Sequence, residues 1–174
     1  SWVPSYPNPA FEKVTPRDGF WGAKMVMAFS DEQIRAVVEA GQITDREAEE
    51  YLIQTLSERR NKIGRYWFER VNPLDKFQSR LEGGKLILDF SDLGVDGKLF
   101  EPHQSDYLYA VEIDGEEWLE DKRTPQPVIE LDIQNMDAEV KKGPSILKVQ
   151  IYTRRGGQKH PDKMTEVYVA LEEN

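Results

Sequence analysis

The chain changes its hydrophobic grammar at Pro73. Before that residue, apolar side chains recur at three- and four-residue steps, the spacing of one helix face. After it they alternate with polar residues, as in half-buried antiparallel strands. "KLILDF" sets Leu86, Leu88 and Phe90 against Lys85, Ile87 and Asp89. "VIELDI" sets Ile129, Leu131 and Ile133 against Glu130 and Asp132, and "ILKVQIY" sets Leu147, Val149 and Ile151 against Lys148 and Gln150. "TEVYVAL" repeats the device with Val167, Val169 and Leu171. Separate helical and strand blocks imply an α+β protein. The expected organisation is an extended arm over 1–14, a helical subdomain of three helices over 15–75, and an antiparallel immunoglobulin-like β-sandwich over 76–174. A single sheet covered by the helices is the competing fold.

Punctuation places the elements. "TPRD" at Thr15–Asp18 offers an N-cap threonine, proline at the first helical position and an acid three residues on. "SDEQ" at Ser30–Gln33 has the capping-box form, and "TDRE" at Thr44–Glu47 repeats it. The spacing predicts helices over roughly 16–28, 31–40 and 45–71. Phe20, Trp21, Met25, Phe29, Ile34, Val37 and Val38 are expected in the core of the first two. The third carries a stripe of Ala48, Tyr51, Leu52, Thr55, Leu56, Ile63, Tyr66 and Trp67. Its acids lie early and its Arg59, Arg60, Lys62 and Arg65 late, which complements the helix dipole. Hairpin turns are expected at Gly83-Gly84 and Asp114-Gly115, with Gly156-Gly157 opening the loop before the last strand.

The third helix ends on Tyr66, Trp67 and Phe68 before Asn72-Pro73 stops it. Successive helical residues point about 100° apart, so one flat partner cannot bury all three. The row is expected to be a joint between the two halves of the chain. The other option is an exposed platform for a sugar, lipid or peptide.

The stretch "DGFWGAKMVMAFSDEQIRAVVEAGQITDREAEEYLIQTLSERRNKIGRYWFERVNPLDKF" resembles the C-terminal region of larger bacterial proteins whose activity is uncharacterised. The resemblance covers residues 18–77. It implies a bacterial source and a preceding segment, and brings no catalytic motif. The start at Ser1, with Pro4, Pro7 and Pro9 favouring an extended arm, fits a piece of a longer or processed chain.

Composition narrows the partners. Lys and Arg number 23 against 32 Asp and Glu, a net charge of −9 that repels phosphate backbones and anionic membranes. Nucleic acid is therefore not an expected partner. No apolar run approaches the roughly 20 residues of a membrane span. The absence of cysteine excludes disulfides and zinc–thiolate sites, while the compartment stays open, cytoplasm or cell envelope.

Three residue groups are candidates for a site. The aromatics Tyr66, Trp67 and Phe68 could hold a ligand. The basic loop with Arg154, Arg155, Lys159 and Lys163 could face an anionic partner, because glycine turns form anion-holding nests. Asp89, Asp92 and Asp96 could contribute to a calcium site. "DLGVDGKLFEPH" fits the EF-hand frame only at Asp92, Asp96 and Gly97, with Gly94 and His103 where ligands belong. His103 and His160 are the two histidines, both beside prolines in loop-like sequence, and no G-x-S-x-G elbow occurs. Adjacent acids such as Glu116-Glu117 and Glu172-Glu173 point to opposite strand faces and cannot share a proton.

The residues point to a non-catalytic accessory or interaction module at the C-terminus of a larger bacterial protein. No cofactor is expected. The partner would be another part of the same polypeptide or a separate protein. A hydrolase part completed by a preceding region is one alternative. A small ligand-binding module for an acyl chain or sugar is the other.

Overall fold

The computed structural model describes Tyr6 and residues 8–135, 145–156, 158–159 and 164–171. His160 and Lys163 of the basic loop, and Glu172-Glu173, lie outside the described residues, as does the Lys159 side chain. The chain forms two compact units, residues 1–71 and 72–174. It is α+β, with antiparallel sheets.

The helical unit opens with α1 (Pro9–Glu12), a single turn inside the stretch expected to be an extended arm. Asn8 caps it, its side chain accepting from the Ala10 amide at 3.0 Å. The three expected helices follow as α2 (Pro16–Met27), α3 (Asp31–Glu39) and α4 (Arg46–Phe68). Their starts follow from chemistry. Thr15 and Asp18 form one reciprocal capping box and Ser30 and Gln33 another. Asp45, not Thr44, caps α4, accepting from the Glu47 and Ala48 amides.

Core placement in this unit differs from the sequence expectation. The buried residues of α2 are Gly19 and Ala23, and those of α4 are Ile53, Gly64 and Phe68. Trp67 lies across Gly19 so closely that a Cβ there would sit 2.4 Å from its ring. Phe20 meets Phe68 with ring centroids 5.9 Å apart. The helices therefore meet over small residues, which a count of large apolar side chains does not register. Trp21, Met25, Phe29 and Val37 consequently stay exposed.

The β unit has two sheets. One is ordered β1 (Leu74–Glu82), β2 (Lys85–Asp92), β5 (Val128–Asp132). The other is ordered β4 (Glu116–Thr124), β3 (Ser105–Ile113), β6 (Ser145–Arg155), with β6 pairing both β7 (Gln158–Lys159) and β8 (Thr165–Leu171). A short helix, α5 (Leu93–Asp96), follows β2. Every pairing is antiparallel. Gly83-Gly84 and Asp114-Gly115 each place two consecutive residues at positive φ, the backbone a two-residue hairpin needs.

The predicted alternation is realised in β6, where Leu147, Val149 and Ile151 are wholly buried. They join Leu86, Leu88 and Phe90 of β2, Ile129 and Leu131 of β5, and Val111 and Ile113 of β3 in one hydrophobic cluster drawn from both sheets. The β4 edge is lined with Glu116, Glu117, Glu120, Asp121, Lys122 and Arg123, charges that discourage pairing with another strand.

Candidate functional site: an apolar groove on the helical unit

Four of the helical unit's eleven exposed large apolar side chains, Phe29, Val37, Leu56 and Ile63, lie together. Val26 and Phe29 at the end of α2, Ile34 and Val37 on α3, and Leu56 and Ile63 on α4 line an open groove of about 330 Å³. Arg59 and Arg60 supply its polar lining. The Phe29 and Ile34 pair flanks Ser30, so the residues that staple the start of α3 also form one groove wall.

Arg60 holds the groove together. Its side chain is mostly covered, at 11% exposure. Nη1 donates to the Phe29 carbonyl at 2.7 Å, and Nη2 donates to Asp31 Oδ1 at 2.7 Å. The end of α2, the start of α3 and the middle of α4 are thereby tied to one guanidinium. Arg35 and Glu50 add a second α3–α4 tie through two bonds of 2.7 and 3.0 Å. That pair raises the Arg35 pKa above its usual value and lowers that of Glu50, chiefly through their hydrogen bonds. Arg59 differs from Arg60. It is exposed and has no ion-pair partner among the described residues.

The aromatic row separates into three fates. Phe68 is fully buried, which removes it from any ligand surface. Trp67 is half-buried over Gly19. Tyr66 is 49% exposed, but its own face is occupied, with the Arg70 guanidinium 3.5 Å from the ring centroid. Tyr66 and Trp67 meet edge-on at 83°. A shallow depression beside Tyr66 is lined only by Glu58, Asn61, Lys62, Arg65, Tyr66, Glu69 and Arg70, all on α4 or just past it. One wall does not enclose a sugar or an acyl chain. Phe68 therefore belongs to the core, and only Tyr66 and Trp67 leave ring surface outside.

Two of the other candidate groups turn out to be partners of each other. Asp92 is 2% exposed. Its Oδ1 accepts from the Gly94 and Val95 amides and from Arg155 Nη2 at 2.9 Å. Its Oδ2 accepts from the Tyr107 hydroxyl at 3.0 Å. Burial, then the Asp92 carboxylate, pushes the Tyr107 phenol well above its ordinary range. Arg155 also donates to Ser105 Oγ at 2.6 Å and stacks 4.1 Å from the Phe100 ring centroid. Gly94 is required here, because a Cβ would sit 2.5 Å from the Phe100 ring. Asp92 is thus buried and already held by four donors of the β unit itself. Asp89 pairs with Arg80, and Asp96 is exposed on α5. Among the described residues no group of three or more acids or histidines is placed to hold a metal.

Arg154 is likewise engaged. It bonds Asp106 through Nε at 2.8 Å and Nη2 at 3.0 Å, and Arg123 adds a 2.6 Å bond to the same carboxylate. Burial acts to raise the Asp106 pKa, and these two guanidiniums outweigh it, leaving it below the usual value. The outward basic patch thus loses Arg154 and Arg155 to internal pairing.

The sequence assigns Asn72 only a helix-stop role, yet it is a buried hydrogen-bonding centre. Asn72, only 8% exposed, donates to the Ile151 carbonyl at 2.8 Å and to Thr165 Oγ1 at 2.9 Å, and accepts from Thr153 at 2.5 Å. It binds the first residues of the β unit to β6 and β8. Asn-Pro carries a helix-stop signal in sequence, and nothing in that signal points to strands some 80 residues away. The groove was also missed, because its residues were assigned to the core.

Among the described residues no helix is long and apolar enough to cross a membrane. No protein-family description matches the chain, and no curated protein sequence does.

Proposed function

We propose that the chain is a non-catalytic interaction module whose β unit is a scaffold and whose helical unit carries the binding face. One observation supports this most. The helical unit gathers Phe29, Val37, Leu56 and Ile63, each 38% exposed or more, into one apolar groove. Grouped exposed apolar surface of this kind marks interaction sites. The β unit is an immunoglobulin-like sandwich on this reading. Its order of β1-β2-β5 against β4-β3-β6-β8 supports that, since β4 lies beside β3 in the sheet that lacks β1 and β2, as strand C′ lies beside C in variable-type domains. The resemblance over 18–77 supports a position at the C-terminal end of a larger bacterial protein. The partner is then another part of that polypeptide or a separate protein.

Site-specific photo-crosslinking tests this reading. A crosslinking amino acid at Val37 should give a protein adduct in the native bacterial host. The adduct should disappear when Leu56 is changed to Ser. The same group at Ile146, an exposed β-unit position at 54% against 68% for Val37, should give none. Equal crosslinking from both positions, or none from Val37, would remove the reading.

A further inference from the structure

We infer that the groove is built for one amphipathic helix that presents a carboxylate to Arg59. The inference rests on the interaction-module reading and adds the chemistry of the partner. Three features carry it. The first is length. Leu56 and Ile63 mark the ends of the groove along α4, seven residues apart. Seven residues of helix rise about 10 Å. A partner helix lying along α4 spans the same distance from its position i to i+7, which accommodates apolar anchors at i, i+4 and i+7.

The second feature is the backbone. The walls come from α2, α3 and α4 and from Phe29 in the short α2–α3 connection. Helical hydrogen bonding occupies most of their amides and carbonyls, and the Phe29 carbonyl accepts from Arg60, so an extended strand finds no edge to pair with. A helix needs none. An acyl chain is also a poor match. The groove is open along its length, and small ligands bind where most of their surface is enclosed. A helix brings its own polar face for the side left in water.

The third feature is charge. Arg60 is committed to Phe29, Asp31 and Asn61. Arg59, between the two apolar ends of α4, is exposed and without an ion-pair partner among the described residues. A partner acid beside the middle anchor would meet Arg59 at the groove rim. Such a rim pair selects the partner and its register more than it adds affinity.

The experiment uses the whole chain and two synthetic 15-residue helical peptides followed by fluorescence anisotropy. One has leucine at i, i+4 and i+7 with glutamate beside the middle leucine; the other has lysine in place of that glutamate. Wild type should bind the glutamate peptide about three- to fivefold more tightly, the range of an exposed ion pair. Arg59→Glu should reverse the preference, and it should fold normally because Arg59 is exposed. Val37→Gln/Ile63→Gln should weaken both peptides at least about tenfold, as loss of two apolar anchors at once does. Equal binding of both peptides, unmoved by Arg59→Glu, overturns the carboxylate assignment while leaving the interaction module intact. Failure of either peptide to prefer wild type over the groove variant overturns the helical occupant, and crosslinking at Val37 then decides the module reading separately. Dodecanoate or phosphatidylcholine vesicles binding through the groove in place of the peptides overturns both.

Discussion

The two units of this chain bury their apolar residues in opposite proportions. Among the described residues, the β unit buries fifteen hydrophobic residues and leaves four large ones exposed, Leu81, Ile146, Met164 and Tyr168. The helical unit buries five and leaves eleven large ones exposed. Charge divides unevenly too. The helical unit carries 10 Lys and Arg against 11 Asp and Glu, and the β unit 13 against 21. The β unit thus closes its own core and presents an acidic exterior. The helical unit is nearly neutral and keeps its apolar surface outside. A core that is complete needs no partner, whereas an apolar face left in water forfeits about 25 cal/mol for each Å² that could be buried. On the interaction-module reading we propose, that difference favours the smaller unit as the binding face.

The comparison predicts large penalties in the β unit. Asp92→Ala leaves the Arg155 guanidinium, 14% exposed, without its carboxylate. Breaking a buried pair on one side costs about 3–5 kcal/mol. Urea unfolding should show that loss, and Asp92→Asn/Arg155→Met should recover part of it. A stable Asp92→Ala protein would mean that the network is dispensable and the β unit less tightly specified than described.

Leu147→Ala probes the apolar core beside it. Leu147 is wholly buried among residues of both sheets, so the expected loss is about 2–5 kcal/mol. Asn72→Ala should cost less, about 1–3 kcal/mol, by stranding the Thr153 hydroxyl and the Ile151 carbonyl. Denaturant midpoints measure both. An Asn72→Ala midpoint equal to wild type would show that the first residues of the β unit are not held as described.

A pH series sharpens the contrast further. The folded-state pKa of Asp106 lies below its unfolded value of about 3.9. Its contribution is therefore present above about pH 4 and is lost as pH falls through the folded value. The stability gap between wild type and Asp106→Asn should hold steady from pH 7 to about pH 5 and narrow below about pH 4. A gap unchanged at pH 3 would mean that Arg123 and Arg154 do not act on this carboxylate.

Much of this architecture is legible in the sequence, for local reasons. Thr15 and Ser30 sit three residues from the amides they cap, so their function is written within one helical turn, whereas at α4 the sequence signal points to Thr44 and the cap is Asp45. Asp114-Gly115 and Gly83-Gly84 encode their hairpins in two residues. The alternation of Leu147, Val149 and Ile151 reports a buried strand face directly. What was illegible depends on distance. Asp92 and Arg155 lie 63 residues apart, and each looked like a candidate for a different ligand until the sheets brought them together. The groove was hidden for another reason. Hydrophobic periodicity identifies which helix residues are apolar and does not say which side packs. In α2 and α4 the packing runs through Gly19, Ala23 and Gly64, so the large side chains expected inside lie at the flanks.

The smallest expected effect tests the central claim most directly. Val37 and Ile63 are 68% and 40% exposed and line the groove. If they serve binding and not folding, Val37→Gln/Ile63→Gln removes little from the folded state, and glutamine is a good helix former. The thermal midpoint of the double variant should fall within about 3 °C of wild type, while Leu147→Ala drops well below it. A fall in the double variant as large as that of Leu147→Ala would contradict the account, because the groove residues would then belong to the core of the helical unit.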